Sequence, residues 1–401
     1  MSSEQTSDVN QGARQIRASV LHGAKDLRIE NRSLPPPSPT ELQISVRSTG
    51  LCGSDLHYYR HYRNGDIIVR EPMSLGHESA GVVVGVGSEA SGFKVGDKVA
   101  LEVGQPCENC DRCKEGRYNI CKGMKFRSSA KAFPHAQGTL QDRINHPAAW
   151  CHKISWVLIV VRLPEDMSLD LGALLEPLGV AIQASKRAQL APGSTVLVFG
   201  AGAVGILVAA MAKISGAGTV VIADIDAGRV QFAVDNKFAH RSFTVPMKRG
   251  NTIEEQLDIA KEVAVEIGKI KKESDGEVGE VDAVFECTGV PSCVQASIFA
   301  TRPGGKVLLI GMGTPIQTLP ISAAALREVD ILGVFRYANT YPTGIEVVSK
   351  KGEDYPDFGK LVTHRYKGLE SAEEAFEMAG KTKDDKGNLV IKVVLETSDE
   401  A

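Results

Sequence analysis

T-V-L-V-F-G-A-G-A-V-G, from Thr195 to Gly205, is the stretch whose reading decides the fold of this chain. Thr195–Phe199 is a short unbroken run of β-prone apolar residues, the pattern of a strand covered on both faces. Gly200, Gly202 and Gly205 follow at G-x-G-x-x-G spacing, with Ala203 and Val204 between them, and then the helix-forming run I-L-V-A-A-M-A-K. A second apolar run, T-V-V-I-A, ends at Asp224. Three spaced glycines alone are weak evidence. Set between a strand and a helix, with an acid closing the next strand, they have the context of a dinucleotide site. Gly200 and Gly202 would let the backbone turn and approach a pyrophosphate at a helix N-terminus, and Gly205 would let the helix lie close on its strand. Asp224 can accept hydrogen bonds from both ribose hydroxyls and would repel a 2′-phosphate, so NAD is expected over NADP. Arg229, five residues on, is the counter-signal.

Further αβ units follow. Ile253 to Lys272 reads as a charged helix, and Val281–Glu286 and Lys306–Gly313 as strands with glycine-bearing ends. Such ends line the cofactor crevice of a doubly wound sheet. Cys287 and Cys293 read as core thiols.

Upstream the pattern is β-rich. A tail over residues 1–15 precedes a hairpin from Ile16 to Ile29, and P-P-P-S-P forces an extended link from Pro35 to Pro39. Leu42–Val46 alternates like a strand, Val82–Val86 is apolar, and Val95–Ala100 reads as a turn into a strand. S-W-V-L-I-V-V, inside Ile154–Arg162, is apolar and β-prone, too short to span a bilayer, and reads as a buried strand. Pro164, with Ser168 as cap, opens a helix in which Glu176 precedes Pro177. A carboxylate in so apolar a run is expensive without a partner, and either a metal or a backbone group could supply one.

Two groups of residues carry metal chemistry. Cys52, His77 and Glu78 lie within Gly50–Gly81 and offer thiolate, imidazole and carboxylate, a set that zinc accepts while keeping a position open. Cys52 alone would read as a small buried hydrophobe and His77 alone as a loop residue. The pattern G-H-E-x-x-G-x5-G-x2-A, from Gly76 to Ala90, is what lifts the site above those readings. Cys107, Cys110, Cys113 and Cys121 follow the spacing C-x2-C-x2-C-x7-C, which can close a tetrahedral all-sulfur shell around a structural zinc. Ligand type alone also admits an iron–sulfur cluster.

A chain of 401 residues suggests two to three domains. Net charge is -3, which offers nothing to attract nucleic acid or an anionic membrane. The polar first residues lack the apolar core of a secretory signal, so the eight cysteines read as ligands and core thiols in a reducing compartment, the cytoplasm.

The two metal signatures, the later dinucleotide fold and their order resemble the zinc-dependent medium-chain dehydrogenases over nearly the whole chain after the tail. Within that family the chain is most similar to the polyol branch, the sorbitol, xylitol and L-arabinitol dehydrogenases. C-G-S-D-L-H-Y, G-H-E-S-A-G, L-E-P-L-G-V, E-C-T-G and V-F-R-Y-A-N-T-Y-P carry the likeness. It implies an α/β protein with a GroES-like β-rich catalytic domain (16–178 and 330–401) and a Rossmann domain with a doubly wound parallel sheet (179–329).

The resemblance further implies a catalytic zinc on Cys52, His77 and Glu78, with Glu176 as a ligand directly or through water. Ser54 would help move the hydroxyl proton, with His57 extending the relay or serving as an ordinary loop residue. Ser54, Tyr58, Phe126, Arg336 and Tyr337 would line the polyol pocket. Val204, Asp224 and Arg229 would contact NAD, as would the segments at Gly311, Met312 and Phe335. Tyr58 resembles the sorbitol and xylitol enzymes, whereas L-arabinitol enzymes tend to carry Phe. The expected reaction is oxidation of a secondary alcohol to a ketose, in a homotetramer with contacts near Val307–Ile310. Rival readings are an L-arabinitol, threonine or simple alcohol dehydrogenase, and an inactive NAD-binding homologue. Against the family pattern, Ile154–Arg162 is extra, the loop Ser128–Thr139 is long, and all four lobe cysteines are present.

Overall fold

The computed structural model describes residues 12–154 and 167–398. The apolar run Ser155–Val161 and the opening at Pro164 lie outside the described residues, as do residues 1–11 of the tail. The first strand, Arg14–Gly23, already includes the last residues assigned to that tail.

The chain forms two compact units, residues 1–176 with 362–401, and residues 177–361. The sequence reading put 330–361 with the first unit, whereas contacts group that segment with the second.

In the first unit, Arg14–Gly23 and Asp26–Leu34 make the expected antiparallel hairpin. A seven-stranded sheet is built around Glu41–Gly50, which pairs with Glu78–Val86, with Arg143–Pro147 and with Lys392–Glu396. Leu42, Ile44 and Val46 point into a core shared with Val83, Val99 and Leu101. The helix Gly53–His61 follows the strand at once. It is held by Tyr59, whose ring stacks on Phe376 at 5.0 Å and whose hydroxyl donates to Glu377 Oε1 at 3.0 Å. Those contacts fix Cys52, at the helix N-cap, beside the end of the sheet.

In the second unit, among the described residues, six parallel strands lie in the order Arg241–Thr244, Thr219–Asp224, Thr195–Phe199, Val281–Glu286, Thr301–Leu309, Asp330–Gly333. The chain winds outward one way from Thr195–Phe199, then returns and winds the other way. The reversal falls between Thr195–Phe199 and Val281–Glu286, the place where a doubly wound sheet takes its ligand. Every residue of Thr195–Phe199 is buried, as expected of a central strand covered on both faces. The helix Leu169–Ala188 contains Glu176 and Pro177, so the boundary between the units falls inside it. Ser168 caps its start, its hydroxyl accepting from the Leu171 N–H at 3.2 Å.

Candidate functional site

The side-chain ligand atoms of Cys52, His77 and Glu78 lie within 4.8 Å of one another, in the first unit. Asp55, on the first turn of the helix after Cys52, organises them. Its Oδ2 accepts from the Cys52 N–H at 3.4 Å. Its Oδ1 accepts from the Gly76 N–H at 3.3 Å and the Ser128 hydroxyl at 2.5 Å, and meets His77 Nδ1 at 3.2 Å. With Nδ1 turned to a carboxylate, His77 presents Nε2 to the centre of the group, the arrangement that orients an imidazole for a metal. Burial alone would raise the Asp55 pKa, but the His77 charge and the hydrogen bonds outweigh it and the carboxyl stays below its usual range. For His77, burial pushes downward, yet Asp55 and Cys52 lift it well above the ordinary imidazole value. A thiol, an imidazole and a carboxylate that converge in this way fit a divalent cation.

Glu78 begins its strand directly opposite Gly50. A Cβ on Gly50 would stand 2.3 Å from Glu78 Oε2, so only glycine leaves room for the carboxylate. Both oxygens of Glu78 accept from Lys392 Nζ, at 2.8 and 2.7 Å. Burial depresses the Lys392 pKa; Glu78, Cys52 and, behind them, Glu176 more than reverse this. Glu176 is buried in the same unit, but its carboxylate is not among the three ligand atoms that converge. Phe126 packs beside His77 with ring centroids 5.5 Å apart. Tyr58 is buried, and its hydroxyl accepts from the Ala130 N–H at 3.3 Å, which ties it to the long loop after Ser128. Ser54 is half-buried and His57 exposed on the same helix.

The four lobe sulfurs also gather within 4.8 Å. Cys110 and Cys113 are 3.5 Å apart and Cys107 and Cys121 3.4 Å, far beyond a bond of about 2.05 Å. They are near the edge of a tetrahedron with arms of about 2.3 Å, which is a zinc–sulfur bond length. The N–H groups of Asn109 and Cys110, then the Cys121 thiol, draw Cys107 down to about 6, so a thiolate is on offer near neutrality. Tyr118, between the third and fourth cysteines, anchors the lobe. Its hydroxyl donates to buried Glu102 at 2.6 Å, and its ring meets Trp150 edge-on at 5.0 Å.

In the second unit Gly200 has φ +99°, and a Cβ on Gly205 would stand 1.8 Å from the Gly200 carbonyl oxygen. Gly202 caps the helix Ala203–Ile214, and a Cβ there would meet nothing within 4 Å, leaving the helix N-terminus open to a phosphate. Asp224 accepts from the Ala201 N–H at 2.6 Å and the Asp226 N–H at 2.9 Å, so it braces the glycine turn. A carboxylate has lone pairs left for two hydroxyls. Val204 lies on that first helical turn and Arg229 on the helix Ala227–Asp235. Beyond Val281–Glu286, a cavity of about 250 Å³ is lined by Glu286, Gly289, Leu309 and Gly311 among others. Met312 and Phe335 are exposed, Arg336 stacks over the Phe335 ring at 4.8 Å, and Tyr337 is buried against Tyr341. The turn, the helix end and the cavity fit a dinucleotide.

Residues 38–156 match the alcohol dehydrogenase GroES-like domain, and residues 203–350 match the zinc-binding dehydrogenase family. A sorbitol dehydrogenase of Gallus gallus is 42% identical over 90% of this chain and 92% of its own length. The chain belongs to the zinc-binding dehydrogenases. A plant relative in this dehydrogenase family, a sorbitol dehydrogenase of Arabidopsis thaliana, is 36% identical over 94% of both chains. Among solved structures, L-idonate 5-dehydrogenase from Escherichia coli aligns with a TM-score of 0.77 at 26% identity, covering 96% of this chain and all of its own. The 2R,3R-butanediol dehydrogenase from Bacillus subtilis aligns at 0.74 and 25%, over 96% of this chain and 100% of that one.

Asp55 and Lys392 escaped the sequence reading. Asp55 stands inside the quoted C-G-S-D, where an acid three residues after a helix cap is an available signal. Lys392 interrupts the apolar L-V-I-K-V-V-L of the last strand, and a lysine facing inward there needs an anion.

Proposed function

We propose that this dehydrogenase oxidises a secondary hydroxyl of a polyol of the sorbitol or xylitol kind to a ketone, with NAD taking the hydride. The convergence of Cys52, His77 and Glu78 ligand atoms within 4.8 Å carries this reading, joined to the sorbitol dehydrogenase relatives. Cys52, His77 and Glu78 hold the catalytic zinc, and the lobe cysteines a structural one. Bound zinc would supply Lewis acidity that makes the substrate hydroxyl easier to deprotonate near neutral pH.

The remaining work falls to the chain. Asp55 fixes the His77 ring and the Cys52 backbone. Glu176 acts through a water, in keeping with its absence from the converging ligand atoms. Ser54 relays the hydroxyl proton, taking it up as its own hydroxyl proton passes on through water toward His57 and solvent. Phe126 supplies an apolar wall beside His77. Tyr58, Arg336 and Tyr337 keep the polyol-contact roles that the resemblance implies. Gly200, Gly202, Ala203, Val204 and Gly205 seat the pyrophosphate, Asp224 the adenosine ribose, and Arg229, Gly311, Met312 and Phe335 the rest of NAD.

The assembly is proposed to be a cytoplasmic homotetramer. Its contacts would lie near Val307–Ile310 and just after, where Ile316 is 86% and Leu326 87% exposed. Among the described residues no helix is long and apolar enough to cross a membrane. The test is a panel of sorbitol, xylitol, L-arabinitol and threonine with NAD and NADP in parallel, plus zinc analysis. Polyol-dependent NADH formation and two zincs per chain are expected. Turnover of threonine alone, or none with metal-replete protein, would overturn the reading.

A further inference from the structure

Glu78 is 1% exposed and Lys392 5%, and their contact joins residues 314 positions apart in sequence. Lys392 opens the strand Lys392–Glu396, whose Val394 pairs with Gly50, and Gly50 in turn pairs with Glu78. Three adjacent strands therefore bring the ammonium to the back of the Cys52–His77–Glu78 group. The ammonium takes both carboxylate oxygens and has its third contact in the Leu51 carbonyl oxygen at 3.2 Å. Nothing in this arrangement is a surface ion pair that solvent could replace.

Charge bookkeeping gives the pair a purpose. A metal-bound Cys52 thiolate with the Glu78, Glu176 and Asp55 carboxylates sums to four negative charges, with neutral His77 adding none. A divalent cation leaves two negative charges over. Lys392 cancels one of them when the metal is bound. When the metal is absent, it is the cation in direct contact with Glu78. Burying an unpaired carboxylate is strongly unfavourable, so this contact stabilises the metal-free fold most.

We propose that Lys392 is a built-in counter-cation that competes with the catalytic metal for Glu78, holding the site folded without metal and weakening the metal's grip when it is bound. This inference rests on the assignment of Cys52, His77 and Glu78 as the catalytic metal site. It runs opposite in sign to the usual outer partner of a metal ligand, whose loss weakens binding by about 10- to 100-fold. Here removal of the ammonium frees two carboxylate oxygens and takes a positive charge away from the cation, so binding tightens.

The test is Lys392→Met in the full chain, with zinc affinity read by competition against a chromogenic chelator and thermal midpoints read with and without metal. Expected is tighter zinc binding at one site, by about tenfold or more, with the lobe zinc unchanged as an internal control. The metal-free midpoint falls further than the metal-bound one. Lys392→Arg keeps affinity near wild type. A variant that folds only with zinc is the same result in extreme form. Unchanged or weaker zinc binding in Lys392→Met overturns the proposal. If that variant fails to fold even with zinc, Lys392→Met/Glu78→Gln decides: it should fold metal-free, and failure to do so also overturns it. Failure of the underlying site assignment looks different: Cys52→Ser would then still carry two zincs per chain.

Discussion

At the scale of single residues, the site is set by small allowances of space and by buried charge. Gly50 offers no chemistry, yet its missing side chain is where Glu78 Oε2 sits. Gly50→Ala should fold, displace the carboxylate and lower kcat/KM on the polyol by on the order of 100-fold, the scale of a 1 Å misplacement. Zinc retention after dialysis should fall toward one per chain; full activity with two zincs would show that Glu78 is not where it matters. His146 gives a pH effect away from the metal. It is fully buried, with Nδ1 accepting from Arg127 Nε at 3.2 Å and Nε2 facing the Glu102 carbonyl at 3.1 Å. Burial first, then the Arg127 charge, pushes it down to about 3. The unfolded chain binds a proton near 6.5 that the folded chain refuses until about 3. Stability contributed by this neutral histidine is therefore complete above about 6.5 and lost as pH falls toward 3, by on the order of a few kcal/mol. His146→Gln should flatten the decline of the thermal midpoint between pH 7 and pH 4, as calorimetry would show; an unchanged slope would remove His146 as its source. His146 carried no sequence signal, because its partners Glu102 and Arg127 lie in distant segments, just past the strands Lys98–Leu101 and Lys125–Phe126. The convergence of Cys52, His77 and Glu78, by contrast, was legible, since a metal would demand particular donor atoms and their spacing survives in the chain.

At the scale of elements, legibility followed the burial pattern. Thr195–Phe199 and Val281–Glu286 could be read because strands covered on both faces are apolar throughout. The Lys306 strand was read to run on to Gly313 but ends at Leu309. There Gly311 and Gly313 lie so close to the Gly289 backbone that a side chain on either would collide, and pairing gives way to a turn that lines the cavity beside Glu286. The lobe was legible only through its sulfurs. Its helix Asp111–Lys114 buries no residue, and beyond Cys121 its footing on the rest of the unit is Tyr118 with Asn119. An element with so little core depends on its metal. Cys121→Ser should therefore lose one zinc per chain while keeping the other, and open residues 107–121 to limited proteolysis. If the serine variant holds two zincs and resists protease at the lobe, the cluster is not a structural site.

For the whole molecule, the decisive fact is that the first unit is discontinuous. The strand Lys392–Glu396 lies inside the seven-stranded sheet, flanked by Glu41–Gly50 and Val362–Lys367. The sequence reading expected the chain to return but placed the return near 330; the structure places it at 362. Nothing in a linear pattern says which earlier strand a late one will join, because that choice is made by shared packing. A chain ending at Leu361 would lose two strands, the helix whose Phe376 stacks on Tyr59, and Lys392. It would uncover an apolar sheet edge and leave Glu78 buried without its cation. Such a truncation should aggregate on expression and, where recovered, oxidise no polyol and hold no more than one zinc per chain. A chain ending at Ser398 keeps the strand and should match wild type in zinc content and rate. Two zincs and normal turnover in the shorter chain would mean that the last strand is an accessory to the sheet and that the site stands without it.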